Sequence, residues 1–123
     1  NTWVHIDRIP KFSFVKELIN KDLKELDLKY IASEYITLLV YEKGDYFAEH
    51  QDGPSGVGFK SGGYSLNTDY TGGEFMLEGT AQDYKVGELF YFNRNVLHEV
   101  RPVISGKRLS LHFGILKKTD SLI

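Results

Sequence analysis

Residues Tyr35 to Asp52 read YITLLVYEKGDYFAEHQD. A run rich in β-branched and aromatic side chains, a polar segment holding one glycine, and a second such run is the pattern of two strands joined by a turn. It predicts strands over Glu34 to Tyr41 and Tyr46 to Gln51, with the turn at Glu42 to Asp45. Along a strand, positions i and i+2 emerge on one face. His50 and Asp52 therefore present an imidazole and a carboxylate side by side, while Gln51 points the other way.

The same texture continues to the C-terminal end. Strands are predicted over Tyr64 to Asn67, Gly73 to Glu78, Glu88 to Phe92, Leu97 to Val103 and Lys107 to Leu116, with turns at Asn93 to Asn95 and Ile104 to Gly106. Between them lies Gly53 to Gly63, GPSGVGFKSGG, whose five glycines and one proline predict a mobile flap. Upstream, Trp3 to Ile6 suits a short strand. Pro10 then marks a boundary before Phe14, Leu18, Ile19 and Leu23, which recur at helical spacing. One helix followed by many short strands predicts a mainly β (α+β) domain, a barrel or double-sheet sandwich with the helix packed outside.

A chain of 123 residues, 41% hydrophobic and 14% aromatic, buries one core rather than two. The expectation is a single domain over 1–123, with a helical lead-in at 10–30 and a β core at 34–116. A formal net charge of −2 supplies no basic field for nucleic acid or an anionic membrane. There is no cysteine, which excludes disulfides, thiolate metal sites and a cysteine nucleophile. Any metal must be held by nitrogen and oxygen. No apolar run approaches the length of a bilayer crossing and no signal peptide opens the sequence, so a soluble, cytoplasmic protein is expected. The oligomeric state is left open.

The four histidines are His5, His50, His98 and His112. A third ligand for an ion gripped by His50 and Asp52 must come from another strand, and His98 opens one directly after the polar turn Asn93, Arg94, Asn95. Two imidazoles and one carboxylate on one octahedral face leave three positions open, the arrangement used by non-haem iron(II) oxygenases. By itself a His-x-Asp triplet arises often by chance, so the weight lies in what surrounds it.

Those surroundings run in a set order. Tyr41, Gly44 and Phe47 lead into His50 and Asp52. Leu66, Asn67, Tyr70, Gly72, Gly73 and Glu74 follow, then Gly87, Phe90 and Phe92, then His98, Val100, Pro102, Val103, Gly106 and Arg108. The stretch from Tyr41 to Gly114 resembles the prolyl 4-hydroxylase-like branch of the iron(II)- and 2-oxoglutarate-dependent dioxygenases, over more than half the chain. The resemblance implies a double-stranded β-helix (jelly-roll) core, metal ligands His50, Asp52 and His98, and Fe(II), 2-oxoglutarate and O2 as cofactor and cosubstrates, with ascorbate optional. It also implies hydroxylation of an unactivated carbon coupled to decarboxylation of 2-oxoglutarate to succinate.

Arg108 stands ten positions after His98, where that family places a basic residue. It opens the last predicted strand, on which Arg108, Ser110 and His112 share a face. If that face lines the interior, the buried guanidinium needs an anionic partner, which a ligand carboxylate supplies through a bidentate pair. By resemblance Arg108 binds the distal carboxylate of 2-oxoglutarate, and Tyr41 is a hydrogen-bond donor to the same molecule. His112, deeper on the face, is expected near the cosubstrate or the iron. Ser65 falls where some relatives carry a tyrosine that assists the arginine, so that contact is expected either to be lost here or to be made by Tyr64 after a small shift. His5 is read as a bystander.

The flap, with Phe59 and Lys60, and the turn around Arg94 are expected to contact substrate. A prolyl or other residue of a protein or peptide leads as substrate, followed by a free amino acid or small molecule. The nucleic-acid repair branch carries a second arginine soon after the first, and Arg108 to Phe113 contains none. Two other classes stay open: a non-catalytic, metal-containing jelly-roll binding module, marked by a fourth protein ligand, and a zinc or manganese hydrolase, marked by an added acid or base beside the metal.

Overall fold

The computed structural model describes residues 2–26, 30–32, 35–53 and 59–117. Strand β1 (Thr2–His5) leads through short 3-10 turns at Ile6–Arg8 and Pro10–Phe12 into helix α1 (Ser13–Leu26). The strands that follow are β2 (Tyr30–Ala32), β3 (Thr37–Tyr41), β4 (Phe47–His50), β5 (Phe59–Ser65), β6 (Tyr70–Gly72), β7 (Phe75–Leu77), β8 (Thr80–Gln82), β9 (Leu89–Asn93), β10 (His98–Val100), β11 (Val103–Gly106) and β12 (Arg108–Lys117). A large sheet runs β1-β3-β12-β5-β9, with β2 also on β12; a smaller one runs β4-β10-β7-β8, and β11 pairs with β6. Every named ladder is antiparallel. The result is the expected jelly-roll, with its helix outside.

Alternation along the large sheet divides its two faces. On the outer face, Tyr64, Phe113 and Ile115 pack with Ile19 and Leu23 of α1, together with Ile6 and Ile36. Inward, Leu39 and Tyr41 meet Val100 and Val103, with Phe47 and Phe75 against them. Burying each such side chain contributes roughly 1.5–3 kcal/mol. The turn from β3 to β4 is closed by Asp45, whose amide donates to the Glu42 carbonyl (2.9 Å) and whose carboxylate accepts from the Glu42 amide (2.8 Å). Gly44 adopts a φ of 88° there, a conformation that excludes most side chains.

Several sequence expectations need correction. The helical lead-in at 10–30 ends its helix at Leu26, and Tyr30–Ala32 is a strand. Its buried residues are Ile19 and Leu23, with Val15 partly buried beside them, whereas Phe14 and Leu18 are 52% and 55% exposed. The expected flap is a strand at its C-terminal end. Residues 54–58 lie outside the described residues, but Phe59–Ser65 forms β5, a central strand between β12 and β9. Its glycines serve space rather than flexibility: a Cβ on Gly62 would sit 2.7 Å from Ile115 and 2.8 Å from Phe113. The expected turn Ile104 to Gly106 belongs to β11, and the run Leu97 to Val103 breaks into β10 and β11 at Arg101 and Pro102.

Candidate metal centre

His50 ends β4 and His98 opens β10, and the ladder sets the two residues directly opposite one another. Asp52 follows β4 by two residues. Its Oδ1 lies 3.4 Å from His50 Nε2 and 3.2 Å from His98 Nε2. Donors bound about 2.1 Å from one ion at right angles stand about 3 Å apart, which the two distances from Oδ1 approach, and the three residues' ligand atoms all lie within 4.8 Å of one another. They form the cluster able to hold a metal among the described residues.

Each imidazole is already oriented. His50 Nδ1 donates to the Ala48 carbonyl (2.7 Å) and His98 Nδ1 to the Val96 carbonyl (2.9 Å), since a carbonyl can only accept. That places the proton on Nδ1 and leaves each Nε2 available as a ligand. Aromatic rings brace both imidazoles: Phe47 stacks on His50 at 4.0 Å between centroids, and Phe92 meets His98 at 4.7 Å. Asp52 is held at both ends. The Asp52 amide donates to the Arg94 carbonyl (2.9 Å), and Arg94 Nη2 donates to the Asp52 carbonyl (2.8 Å). Its second oxygen, Oδ2, accepts a short hydrogen bond from Ser61 Oγ and lies 3.4 Å from His112 Nε2.

Without a metal, burial of Asp52 would raise its pKa, but hydrogen bonds from His112, His98 and Ser61 outweigh it and hold the carboxyl well below the usual range. Burial would lower the His98 pKa, and the bond to Asp52 with that to Val96 raises it instead. Both shifts express one fact, a carboxylate kept ionised in a half-buried place. The donor set of two neutral imidazole nitrogens and one carboxylate oxygen fits a facial triad of the non-haem iron(II) type.

The triad opens into a cavity of about 270 Å³ that also receives Tyr41, Arg108 and Ser110. The β3 to β12 ladder sets Tyr41 opposite Arg108 and Leu39 opposite Ser110, which aligns these side chains on the inner face. Arg108 is 7% exposed, and its guanidinium lies 5.5 Å over the fully buried Tyr41 ring. Arg108 Nε donates to the Gly73 carbonyl (2.9 Å) and Nη1 to Ser110 Oγ (3.1 Å). Among the described residues no carboxylate forms an ion pair with it. A buried cation with only neutral acceptors has its charge uncompensated by these protein partners, and burying an unpaired charge is costly.

No protein-family model matches the chain. In sequence it is 25% identical over 119 residues to a PKHD-type hydroxylase of Idiomarina loihiensis, covering 89% of this chain and 50% of that protein. It thus spans half the length of this relative. In structure it superposes at a TM-score of 0.70 on an oxidoreductase of the 2OG-Fe(II) oxygenase family from Burkholderia pseudomallei, at 20% identity over 88% of this chain and 57% of the other. A prolyl-4-hydroxylase from Pseudomonas putida superposes at 0.65, with 19% identity over 96% and 71%. The fold is that of the 2-oxoglutarate and iron(II) oxygenases. The resemblance read from Tyr41 to Gly114 is borne out.

Within that oxygenase fold, the remaining sequence candidates scatter. His112 lines the cavity and approaches Asp52. Lys60 and Arg94 do not line it: Lys60 Nζ donates to Asn93 Oδ1 (2.7 Å), and Arg94 serves the Asp52 backbone. The Phe59 side chain lies outside the described residues. Tyr64 does not assist Arg108, because its hydroxyl turns to the outer face and donates to Asp22 on α1 (2.6 Å). His5 does not line the cavity, and its Nδ1 lies 3.3 Å from Thr37 Oγ1. Sequence reading missed Ser61 and the partly exposed Trp3, which lines the cavity beside Phe47. Ser61 was hidden by the glycines around it. Reading KSGGY as a strand would have put Ser61 on the same face as Gly63, which pairs with His112.

Proposed function

We propose that the chain is an iron(II)- and 2-oxoglutarate-dependent dioxygenase that hydroxylates an unactivated carbon in a prolyl or other residue of a protein or peptide. The observation that carries this reading is the pairing, within one cavity, of a His-Asp-His cluster with a buried arginine that has no carboxylate partner among the described residues.

His50, Asp52 and His98 would hold the iron, which when bound supplies oxidation of a C–H bond coupled to conversion of 2-oxoglutarate to succinate. The chain's own residues provide placement. The two imidazoles keep their Nδ1 protons on backbone carbonyls, so neither offers an acid to the reacting centre. Arg108 and Ser110 receive the distal carboxylate. Gly73 holds Nε and Tyr41 lies beneath the guanidinium plane, so the cation is oriented before the cosubstrate arrives. Leu39, Phe75, Phe90 and Val100 line the cavity between the two ends and exclude water from the reacting carbon. The opening, with Trp3 and Phe47, offers apolar contact area to a substrate side chain.

The peptide reading draws on the relatives named as hydroxylases, one of them acting on prolyl groups. A free amino acid or small molecule would use the same site. Three protein ligands rather than four among the described residues argue against a closed, metal-containing binding module. The deciding experiment is anaerobic loading with iron(II) and 2-oxoglutarate. The expected result is a weak visible charge-transfer band, then succinate on admission of air and hydroxylation of a supplied proline-containing peptide. A protein that gives neither band nor succinate is not a 2-oxoglutarate oxygenase.

A further inference from the structure

The two oxygens of Asp52 face different neighbours. Oδ1 points to both Nε2 atoms of the histidines, whereas Oδ2 accepts from Ser61 Oγ and lies 3.4 Å from His112 Nε2. Ser61 is 1% exposed and sits on β5, fixed by its ladders to Gly114 of β12 and Phe92 of β9. Its hydroxyl is therefore a donor held by the large sheet and aimed at a residue hung from the small one. We infer that Ser61 is the positioning residue that keeps Asp52 monodentate, tying down Oδ2 so that only Oδ1 is presented to the metal.

This inference rests on the metal reading given above and adds a cause for the openness of the site. A carboxylate can bind an ion through one oxygen or two. Bound through both, it would occupy a fourth octahedral position and leave two for exogenous ligands. Bound through one, it leaves three, the number that defines a facial triad with open corners. Nothing in the Asp52 backbone enforces the choice, because rotation about the Cβ–Cγ bond can turn one oxygen or both toward the ion. A buried hydroxyl bonded to Oδ2 does enforce it, since turning that oxygen to the metal would leave the hydroxyl unpaired in a buried place. His112 supports the same oxygen from farther off and at the cavity edge, 37% exposed, so the larger share falls to Ser61.

The test is Mn(II) binding, followed by the electron paramagnetic resonance signal of the free aqua ion, in the unaltered protein and in Ser61→Ala, Ser61→Cys and Ser61→Thr. Ser61→Ala should weaken Mn(II) binding about 10- to 100-fold, the usual consequence of losing a group that orients a ligand. Ser61→Thr, which retains the hydroxyl, should recover most of it. If Ser61→Ala does not fold, Ser61→Cys carries the same expectation, because its thiol fills similar space with a weak donor. A thermal midpoint that falls while Mn(II) affinity stays unchanged would mean Ser61 only packs, and overturns the inference. Unaltered protein that binds no Mn(II) overturns both this and the metal reading. Tight binding in the unaltered protein with equal binding in Ser61→Ala overturns this one alone.

Discussion

The two ends of the cavity are built in opposite ways. The arginine end stands on β12, ten residues long and flanked on both sides by strands of the large sheet, so Arg108, Ser110 and Tyr41 are aligned by ladder register. The metal end hangs from β4 and β10, four and three residues long, with a register shift between His98 and Val100. Short strands position a side chain poorly, and here each ligand is secured individually by bonds from His50 to Ala48, His98 to Val96 and Asp52 to Ser61 and Arg94. The arginine end is rigid through its backbone, and the histidine end through its side-chain bonds.

That contrast can be broken most sharply at Asp52. Asp52→Ala removes the anionic member of the cluster, and Mn(II) affinity should drop beyond detection with succinate formation abolished. Circular dichroism should meanwhile stay close to that of the unaltered protein, because no strand depends on this side chain. Arg108→Ala addresses the other end. Losing one partner of a buried charged pair costs about 2 kcal/mol or more, so the 2-oxoglutarate concentration for half-maximal turnover should rise about 30-fold or more, with Mn(II) affinity nearly unchanged. If metal affinity falls in parallel, the two ends are not independent.

A third change acts on the scaffold first. Gly62→Val crowds Ile115 and Phe113 at the outer face of β5, and overpacking of this kind costs about 1–3 kcal/mol, read as a lower urea midpoint. Because β5 also carries Ser61, metal affinity should fall slightly with it. The smallest effect is expected from His112→Ala. The side chain lies 3.4 Å from Asp52 Oδ2 at a partly exposed position, so Mn(II) binding should change only a few-fold. A loss as large as that expected for Ser61→Ala would show that His112 is the main support of Asp52.

Legibility in the sequence followed the range of the interaction. The β3 and β4 strands, the turn between them and the shared face of His50 and Asp52 were readable because alternation is a property of a few neighbouring residues. The burial of Arg108 was readable only as a condition, since it depends on which face of β12 the helix covers. The strand β5 was misread because its glycines look like turn residues. They answer instead to Phe113 and Ile115, some fifty positions away.

Sequence by itself determined the chemistry on offer, two histidines and an aspartate with an arginine ten positions past the second histidine, in a chain with no thiol to compete. Only the tertiary structure decided that Ser61 returns to Asp52 and that Arg108 meets no carboxylate among the described residues. Local spacing dictates which way a side chain leaves its own strand. What it meets across the cavity is set by how two sheets pack, and that depends on every ladder at once.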